Sequence, residues 1–392
     1  MSEGNHNPVK VLQIAIGDGS YGGVASFLYS YYSHINHGKV HFDFLYCGEN
    51  SLKSKMNTPV LADSKITTLH IMQIKYNGIK GYIKLLKALR NFFNDNEYDI
   101  VHVNTNSSFF CACVAYALKG RAKLIFHSHN SKVVLQDKSR SVKHFLKDVL
   151  ESPCKKYMLK KGDFFFACSN AAGANLFGKK ILKSDNYKVI NNAIDISKYA
   201  YNAESRNKVR KTDNFVFGHV GRFTRQKNHK FLVELFAEIH KLVPDSELWL
   251  VGEGELREET ESQIKNLGLE DCVVLWGRRD DVADLMQGMD IFLFPSLYEG
   301  LSIVTIEAQA SGLTLVVSDS ISPEHKVTEL VHFLKLEKGT EFWAQEILGI
   351  MKNQADRRDM SAEILSAGYE IKQAANELEN FYINRIQGNQ YK

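Results

Sequence analysis

Short apolar runs of strand length alternate with amphipathic runs of helix length from one end of this chain to the other. In the first half, Val9–Ile16, Phe42–Tyr46, Ile100–Asn104, Lys123–His127, Phe164–Cys168 and Lys188–Ile190 read as strands. Ala25–Ile35, Gly81–Phe93 and Ser141–Lys160 read as helices between them. The second half repeats the scheme with strands at Phe215–Val220, Leu248–Val251, Val273–Trp276, Ile291–Phe294 and Leu315–Val317. Strands that alternate with helices restrict the chain to parallel, doubly wound α/β sheets. At 392 residues the chain is long enough for two cores. Asn191–Asp195 and then the polar stretch Ser197–Asn214 lie between the halves and are expected to be the hinge. A long charged helix over Ser361–Ile386 ends the chain.

The stretch Ile291–Asp319 carries the most chemistry. The strand Ile291–Phe294 ends in Pro295-Ser296, and Glu299 and Glu307 follow with seven residues between them. Core packing asks for acids at neither place. Ile303, Ile306, Ala310 and Leu313 recur at a helical period, with Ser302 as the expected N-cap. The first-turn N–H groups near Ser302–Val304 then face the loop's mouth and suit a phosphate. Ligands of open α/β sheets bind outside the carboxyl ends of the strands, so both acids are expected to flank a phosphate ligand and accept from its hydroxyl groups.

A second cluster follows the strand Phe215–Val220. Gly221 permits a tight exit, Arg222 and Lys227 project from the loop, and Asn228 is placed to cap a helix over Phe231–Leu242. A fork-shaped guanidinium and a compact ammonium at one strand end make a pyrophosphate clamp.

Gly221-Arg222 and Lys227-Asn228, then Val251-Gly252-Glu253-Gly254, Pro295-Ser296 and the two spaced glutamates, resemble the retaining glycosyltransferases of family 4, with the GT-B fold. HVGRFTRQKNH, PSLYEGLS and IEAQASGL are similar to the bacterial exopolysaccharide and capsular polysaccharide subgroup. The likeness spans nearly the whole chain, strongest over residues 215–325 and weaker before residue 120. It implies two Rossmann-like doubly wound domains facing a central cleft. Residues 1–196 would form the acceptor-side domain and 197–375 the nucleotide-sugar domain, with 376–392 a helix returning to the first.

The resemblance also implies roles. Arg222 and Lys227 would neutralise the diphosphate of a nucleotide-sugar donor, expected to be uridine-linked. Glu299, with the backbone of Gly300, Leu301 and Ser302, would hold donor-sugar hydroxyls, and Glu307 the ribose hydroxyls. The base would lie near Gly277, Arg278 and Arg279. Attack would be front-face, with the leaving diphosphate taking the acceptor's proton, and no metal or other cofactor is expected. A His at the end of the strand Lys123–His127 would lie over the donor sugar; His129 is the candidate by register and His127 its competitor. Glu324 matches a family acid or is a plain loop residue.

The glycine-rich Gly17–Gly23 turn reads either as a phosphate or acceptor loop, with Gly22 and Gly23 donor-binding, or as a plain tight turn. The family places Glu two residues after the glycine pair; here Ala25 stands there. From Lys132 to Lys161 basic residues dominate, with Lys143 and Lys147 among them. This reads either as a solvated helix face or as a surface for anionic lipid or a lipid-linked diphosphate acceptor.

Composition narrows the classes. The 44% hydrophobic and 24% charged shares are ordinary for a globular protein. A net charge of +4 is too mild to imply nucleic acid. Six scattered cysteines form no Cys-x-x-Cys pair, so buried reduced thiols are expected. The polar start MSEGNHNPVK resembles no signal peptide, and no apolar run reaches bilayer-spanning length. A cytoplasmic enzyme, free or at the inner membrane surface, is therefore expected. It would act on a glycan or lipid-linked acceptor. An epimerase-like nucleotide-sugar enzyme and a non-catalytic binding subunit are the alternatives.

Overall fold

The computed structural model describes residues 7–16, 23–48, 67–74, 78–130, 142–353 and 355–386. They form two α/β units, each around a parallel sheet. One unit comprises residues 1–131, 136–193 and 371–392; the other comprises 132–135 and 194–370. The sequence reading had put these divisions at 196/197 and 375/376.

The first sheet has seven strands: β1 Val9–Ile16, β2 Val40–Cys47, β3 Leu69–Met72, β4 Ile100–Asn104, β5 Lys123–Ser128, β6 Phe164–Ala167 and β7 Tyr187–Val189. Their order is β3-β2-β1-β4-β5-β6-β7. The second has six: β8 Phe215–Val220, β9 Ser246–Val251, β10 Val273–Gly277, β11 Ile291–Phe294, β12 Thr314–Ser318 and β13 Val331–Leu334. Their order is β10-β9-β8-β11-β12-β13. The described pairings are parallel throughout. In each sheet the order reverses beside the unit's first strand, between β1 and β4 and between β8 and β11. Such switch points open a crevice at the carboxyl ends of the strands.

Central strands are apolar along their length because helices cover both faces. β4, β11 and β12 are buried at every position. The sequence reading missed β3 and β13, which are short, only partly buried edge strands with a weak apolar signal. The run FFCACVAYAL lies in the helix Ser108–Leu118, capped by Ser107, whose side chain accepts from the Phe110 N–H. Cys111 and Cys113 are buried there, and the six cysteines are unbridged.

The stretch 197–214 contains the short helices Ile196–Tyr199 and Ala203–Val209, and Arg206 and Arg210 both pair with Asp290 of the second unit. One expectation needs correction: Ser361–Ile386 is not one helix. It breaks into Ser361–Ser366 and Ile371–Ile386, with Gly368 between them in the left-handed region at φ +80°. The second piece buries Ile371, Ala375, Leu378, Phe381 and Tyr382 among Val9, Val11, Phe42 and Phe44 of the first unit. Packing thus begins at Ile371, a few residues before 376, where the sequence reading starts the returning helix.

Candidate functional site

Two loops meet at the switch point of the second sheet. One leaves β8 and runs from Gly221 to Asn228; the other leaves β11 and runs from Pro295 to Ser302. Backbone and side-chain hydrogen bonds stitch them together. The Leu297 N–H donates to the Gln226 carbonyl at 2.9 Å. Gln226 Nε2 donates to the Tyr298 carbonyl at 3.0 Å, and Asn228 Nδ2 to the Pro295 carbonyl at 3.1 Å. Asn228 therefore does not cap its helix with its side chain; it holds the neighbouring loop. The helix, His229–Leu242, buries Leu232, Val233, Leu235, Phe236 and Ile239. Phe231 packs at the edge of the same core, and Leu242, at the helix end, is exposed.

The stitching brings Lys227 Nζ within 2.8 Å of Glu299 Oε1, with side chains 13% and 8% exposed. The same ammonium lies 4.3 Å from the centroid of the Phe294 ring. A pair this buried is held by close Coulomb attraction against a desolvation cost. Arg222, five residues earlier in the loop, is exposed.

The third wall is the Gly252-Glu253-Gly254 turn after β9. Gly252 sits at φ +143°, and a Cβ there would come within 2.0 Å of the Gly221 carbonyl oxygen. A Cβ on Gly254 would come within 2.4 Å of the Phe223 carbonyl oxygen. The Phe223 N–H donates to the Glu253 carbonyl at 3.0 Å. Only glycines let this turn abut the β8 loop.

Gly300 and Leu301 are buried beneath the second loop. Ser302 occupies the N-cap position of the helix Ile303–Ala310, but its side chain makes no capping bond. Its N–H, expected to face a phosphate, donates to Nε2 of the fully buried His325 at 3.1 Å. His325 Nδ1 in turn donates to the Ser322 carbonyl at 3.0 Å. Burial lowers the His325 pKa from its usual 6.5 and keeps the ring neutral, as acceptance by Nε2 requires. Glu324, beside it, accepts from the Ser322 hydroxyl at 3.0 Å.

Glu307 is half-buried on the same helix. Its Oε1 accepts the Tyr199 hydroxyl hydrogen at 2.6 Å. Burial raises the Glu307 pKa, opposed by that hydrogen bond and by Lys198. Arg278 is exposed beyond β10, where Arg279 pairs with Asp281 and lies 5.5 Å from the Trp276 ring centroid.

Of the residues singled out in sequence, Lys227 and Glu299 are thus in direct contact, and Arg222 shares their loop pair. Glu307 is engaged with Tyr199, a partner from the stretch read as hinge. Sequence reasoning also missed His325 and Gln226. A lone His after a Ser-Pro and a Gln inside a basic loop give no pattern that separates them from surface residues.

In the first unit, Gly23 is exposed at the start of the helix Gly23–Tyr32, and Gly22 lies outside the described residues. So do Lys132, Lys138 and Arg140, while the side chains of Lys143 and Lys147 are not described. The histidine alternatives differ in setting. His127 is fully buried at the end of β5. The His129 ring is half-buried and packs at a centroid distance of 4.9 Å against Phe27. Burial lowers the His129 pKa to about 3, and that of His127 well below its usual 6.5.

Among the described residues, no group of three or more His, Cys, Asp or Glu side chains is arranged to hold a metal ion. No described helix is long and apolar enough to cross a membrane.

Comparison with known proteins gives the following. Residues 21–198 match the model of Glycosyltransferase Family 4, and residues 201–365 that of Glycosyl transferases group 1. The chain is 28% identical over 389 residues to EpsF of Bacillus subtilis (strain 168), a protein with a provisional glycosyltransferase name; the match covers 96% of this chain and 97% of EpsF. It is 27% identical over 252 residues to the UDP-Gal:alpha-D-GlcNAc-diphosphoundecaprenol alpha-1,3-galactosyltransferase of Escherichia coli, covering 62% of each chain. The fold superposes on Anabaena Alr3699/HepE in complex with UDP at a TM-score of 0.72 and 18% identity, over 95% of this chain and 99% of that one.

Proposed function

The chain is a glycosyltransferase with the two Rossmann-like domains of the GT-B fold, and from that premise we propose that it moves a sugar, with retention, from a UDP-sugar to a glycan or lipid-linked oligosaccharide acceptor in surface polysaccharide synthesis. The observation that carries this reading is the buried Lys227–Glu299 pair at the β8/β11 switch point. It keeps a cation at the crevice where a phosphate would lie, and a carboxylate beside it to accept from sugar hydroxyls.

Arg222 and Lys227 neutralise the charge that grows on the diphosphate as the glycosidic bond breaks, and interactions that strengthen in the transition state raise the rate. Glu299 and the backbone of Gly300 and Leu301 hold the donor sugar, and Glu307 holds the ribose; the Ser302 N–H, expected from sequence to join them, is taken by His325. His129 acts at the donor sugar. The name of the Escherichia coli relative supports a UDP donor and a lipid-diphosphate acceptor, and the UDP complex of the Anabaena neighbour is consistent with that donor. No metal takes part in this reading, and the enzyme works in the cytoplasm, at the membrane surface when its acceptor is lipid-linked.

The test is to incubate purified protein with a panel of nucleotide sugars and a lipid-diphosphate acceptor, and to follow the product anomer by NMR. An α-linked product from an α-linked UDP donor, formed in the presence of a chelator, is expected. Inversion, or loss of turnover with the chelator, contradicts the corresponding part. An epimer formed from donor alone favours the epimerase alternative; donor binding without turnover favours a binding subunit. Binding to anionic vesicles that Lys143→Glu and Lys147→Glu leave unchanged removes the membrane part.

A further inference from the structure

A continuous hydrogen-bonded chain runs through the first unit beneath the carboxyl ends of its central strands. His129 Nε2 lies 2.9 Å from Asn104 Oδ1. Asn104 Nδ2 lies 2.9 Å from Gln13 Oε1, and Gln13 Nε2 lies 3.1 Å from the Tyr382 hydroxyl. That hydroxyl is 2.7 Å from His102 Nδ1, and His102 Nε2 is 3.1 Å from His127 Nδ1. Every member except His129 is buried. Three strands, β1, β4 and β5 with its exit, and the C-terminal helix Ile371–Ile386 each supply part of it.

One residue sets its direction. Asn104 Nδ2 also faces the carbonyl oxygens of Ile14 and His102, each at 3.4 Å. An amide oxygen in that place would confront two acceptors, so the nitrogen belongs there. The rest follows from requiring an acceptor for every buried polar hydrogen. Asn104 Oδ1 is an acceptor, so His129 Nε2 carries a proton. Gln13 Oε1 accepts from Asn104, so Gln13 Nε2 donates to the Tyr382 oxygen. Tyr382 then gives its own hydrogen to His102 Nδ1, His102 Nε2–H donates to His127 Nδ1, and the remaining proton of neutral His127 is on Nε2.

The chain leaves two unsatisfied atoms. His129 Nδ1, an acceptor, and His127 Nε2, a donor, are both buried without a hydrogen-bond partner. Their rings lie 4.0 Å apart, centroid to centroid. Buried polar atoms without partners are rare and destabilising, and ask for a ligand or water. A lone pair beside an N–H matches a hydroxyl group, which gives one hydrogen and takes another. It does not match a phosphate oxygen, which has no hydrogen for Nδ1.

We propose that Asn104, Gln13 and Tyr382 are positioning residues that fix the tautomers of His129 and His127, so that the two rings together present an acceptor and a donor to one sugar hydroxyl. The assignment of that hydroxyl to a sugar rests on the functional reading above; the tautomers do not. The neutral state of all three rings agrees with burial, which lowers the pKa values of His102 and His129 to about 3.

The test is long-range nitrogen NMR on the full chain labelled at histidine, with signals assigned by His129→Gln and His127→Gln. The expected spectrum has His102, His127 and His129 all as neutral Nε2–H tautomers. Nδ1–H tautomers at these rings would mean that the chain runs the other way and overturn the proposal. Asn104→Asp should raise the His129 pKa markedly, because a carboxylate opposite Nε2–H favours the doubly protonated ring. Turnover should then acquire a new pH dependence that tracks that titration. Should this variant fail to fold, Tyr382→Phe serves: it should release the tautomers of His102 and His127 while His129 keeps its own. An unchanged His129 titration in Asn104→Asp, or unchanged His102 and His127 in Tyr382→Phe, overturns the proposal. Correct tautomers in a protein that transfers no sugar would sink the functional reading and leave the chain of hydrogen bonds standing.

Discussion

Lys227 and Glu299 form a 2.8 Å ion pair between loops that leave two adjacent parallel strands of the second sheet. The residues are far apart in sequence, and the sheet order, with β8 beside β11, makes them neighbours. Each lone partner would be a buried charge without compensation. Glu299→Gln and Lys227→Ala should each destabilise the second unit, by about 3–5 kcal/mol if the site does not admit water. In a double-mutant cycle read by denaturant unfolding, the pair should cost clearly less than the sum of the singles. Additive losses would mean that the contact contributes nothing to the fold.

Glu307 is expected to oppose stability at neutral pH. Burial raises its pKa, so the folded state binds its proton more tightly than the unfolded state does. The stabilising contribution is therefore full below the ordinary Glu range and is lost as pH rises through the raised value. Glu307→Gln keeps an oxygen for the Tyr199 hydroxyl and removes the charge. Its melting temperature should exceed that of the wild type at neutral pH and converge on it in acid, while turnover falls. A variant less stable than wild type at neutral pH contradicts this account.

Gly252→Ala should be among the most damaging small substitutions. The added Cβ meets the Gly221 carbonyl oxygen at 2.0 Å, at a φ of +143° that other residues rarely adopt. The β8 loop must move, carrying Arg222 and Lys227 with it. A loss of roughly 1–3 kcal/mol from backbone strain should accompany a larger loss of donor binding. Gly268→Ala is the control: it shares a positive φ and meets nothing within 4 Å, so it should cost stability and spare binding. Equal binding losses in both would show that backbone strain, and not the loop contact, matters.

His325 links the start of the helix Ile303–Ala310 to the segment after β12, through the Ser302 N–H and the Ser322 carbonyl. Its folded pKa is lowered by burial, so its contribution is present above the usual 6.5 and is lost as pH falls through the lower folded value. His325→Ala should melt earlier than wild type at neutral pH, with the gap closing on acidification. A gap that widens in acid would contradict the assigned neutral ring.

Much of this site was readable before the fold. β1, β4, β8 and β11 fall at the residues where apolar runs placed them, because strands buried on both faces leave an uninterrupted signal. Glu299 and Glu307 stood out because acids interrupt an otherwise apolar stretch. What was not legible depends on partners distant in sequence. Tyr199 reads as one aromatic in a polar segment, yet it occupies Glu307. Asn228 reads as a helix cap, yet its side chain serves the adjacent loop. Gln13, Asn104 and Tyr382 are unremarkable singly and become a chain only when β1, β4 and the last helix are brought side by side. The break at Gly368 was hidden because the charged pattern continues on both sides of it.

The central claim is that the β8 and β11 loops grip a nucleotide diphosphate. Isothermal titration of UDP into the wild-type protein and into Lys227→Ala, Arg222→Ala and Glu307→Gln, each first checked for folding by its melting curve, tests it most directly. The account predicts saturable binding by the wild type, with each folded variant weakened by at least tenfold. UDP that binds the wild type and all three variants alike would place the nucleotide elsewhere and contradict the account.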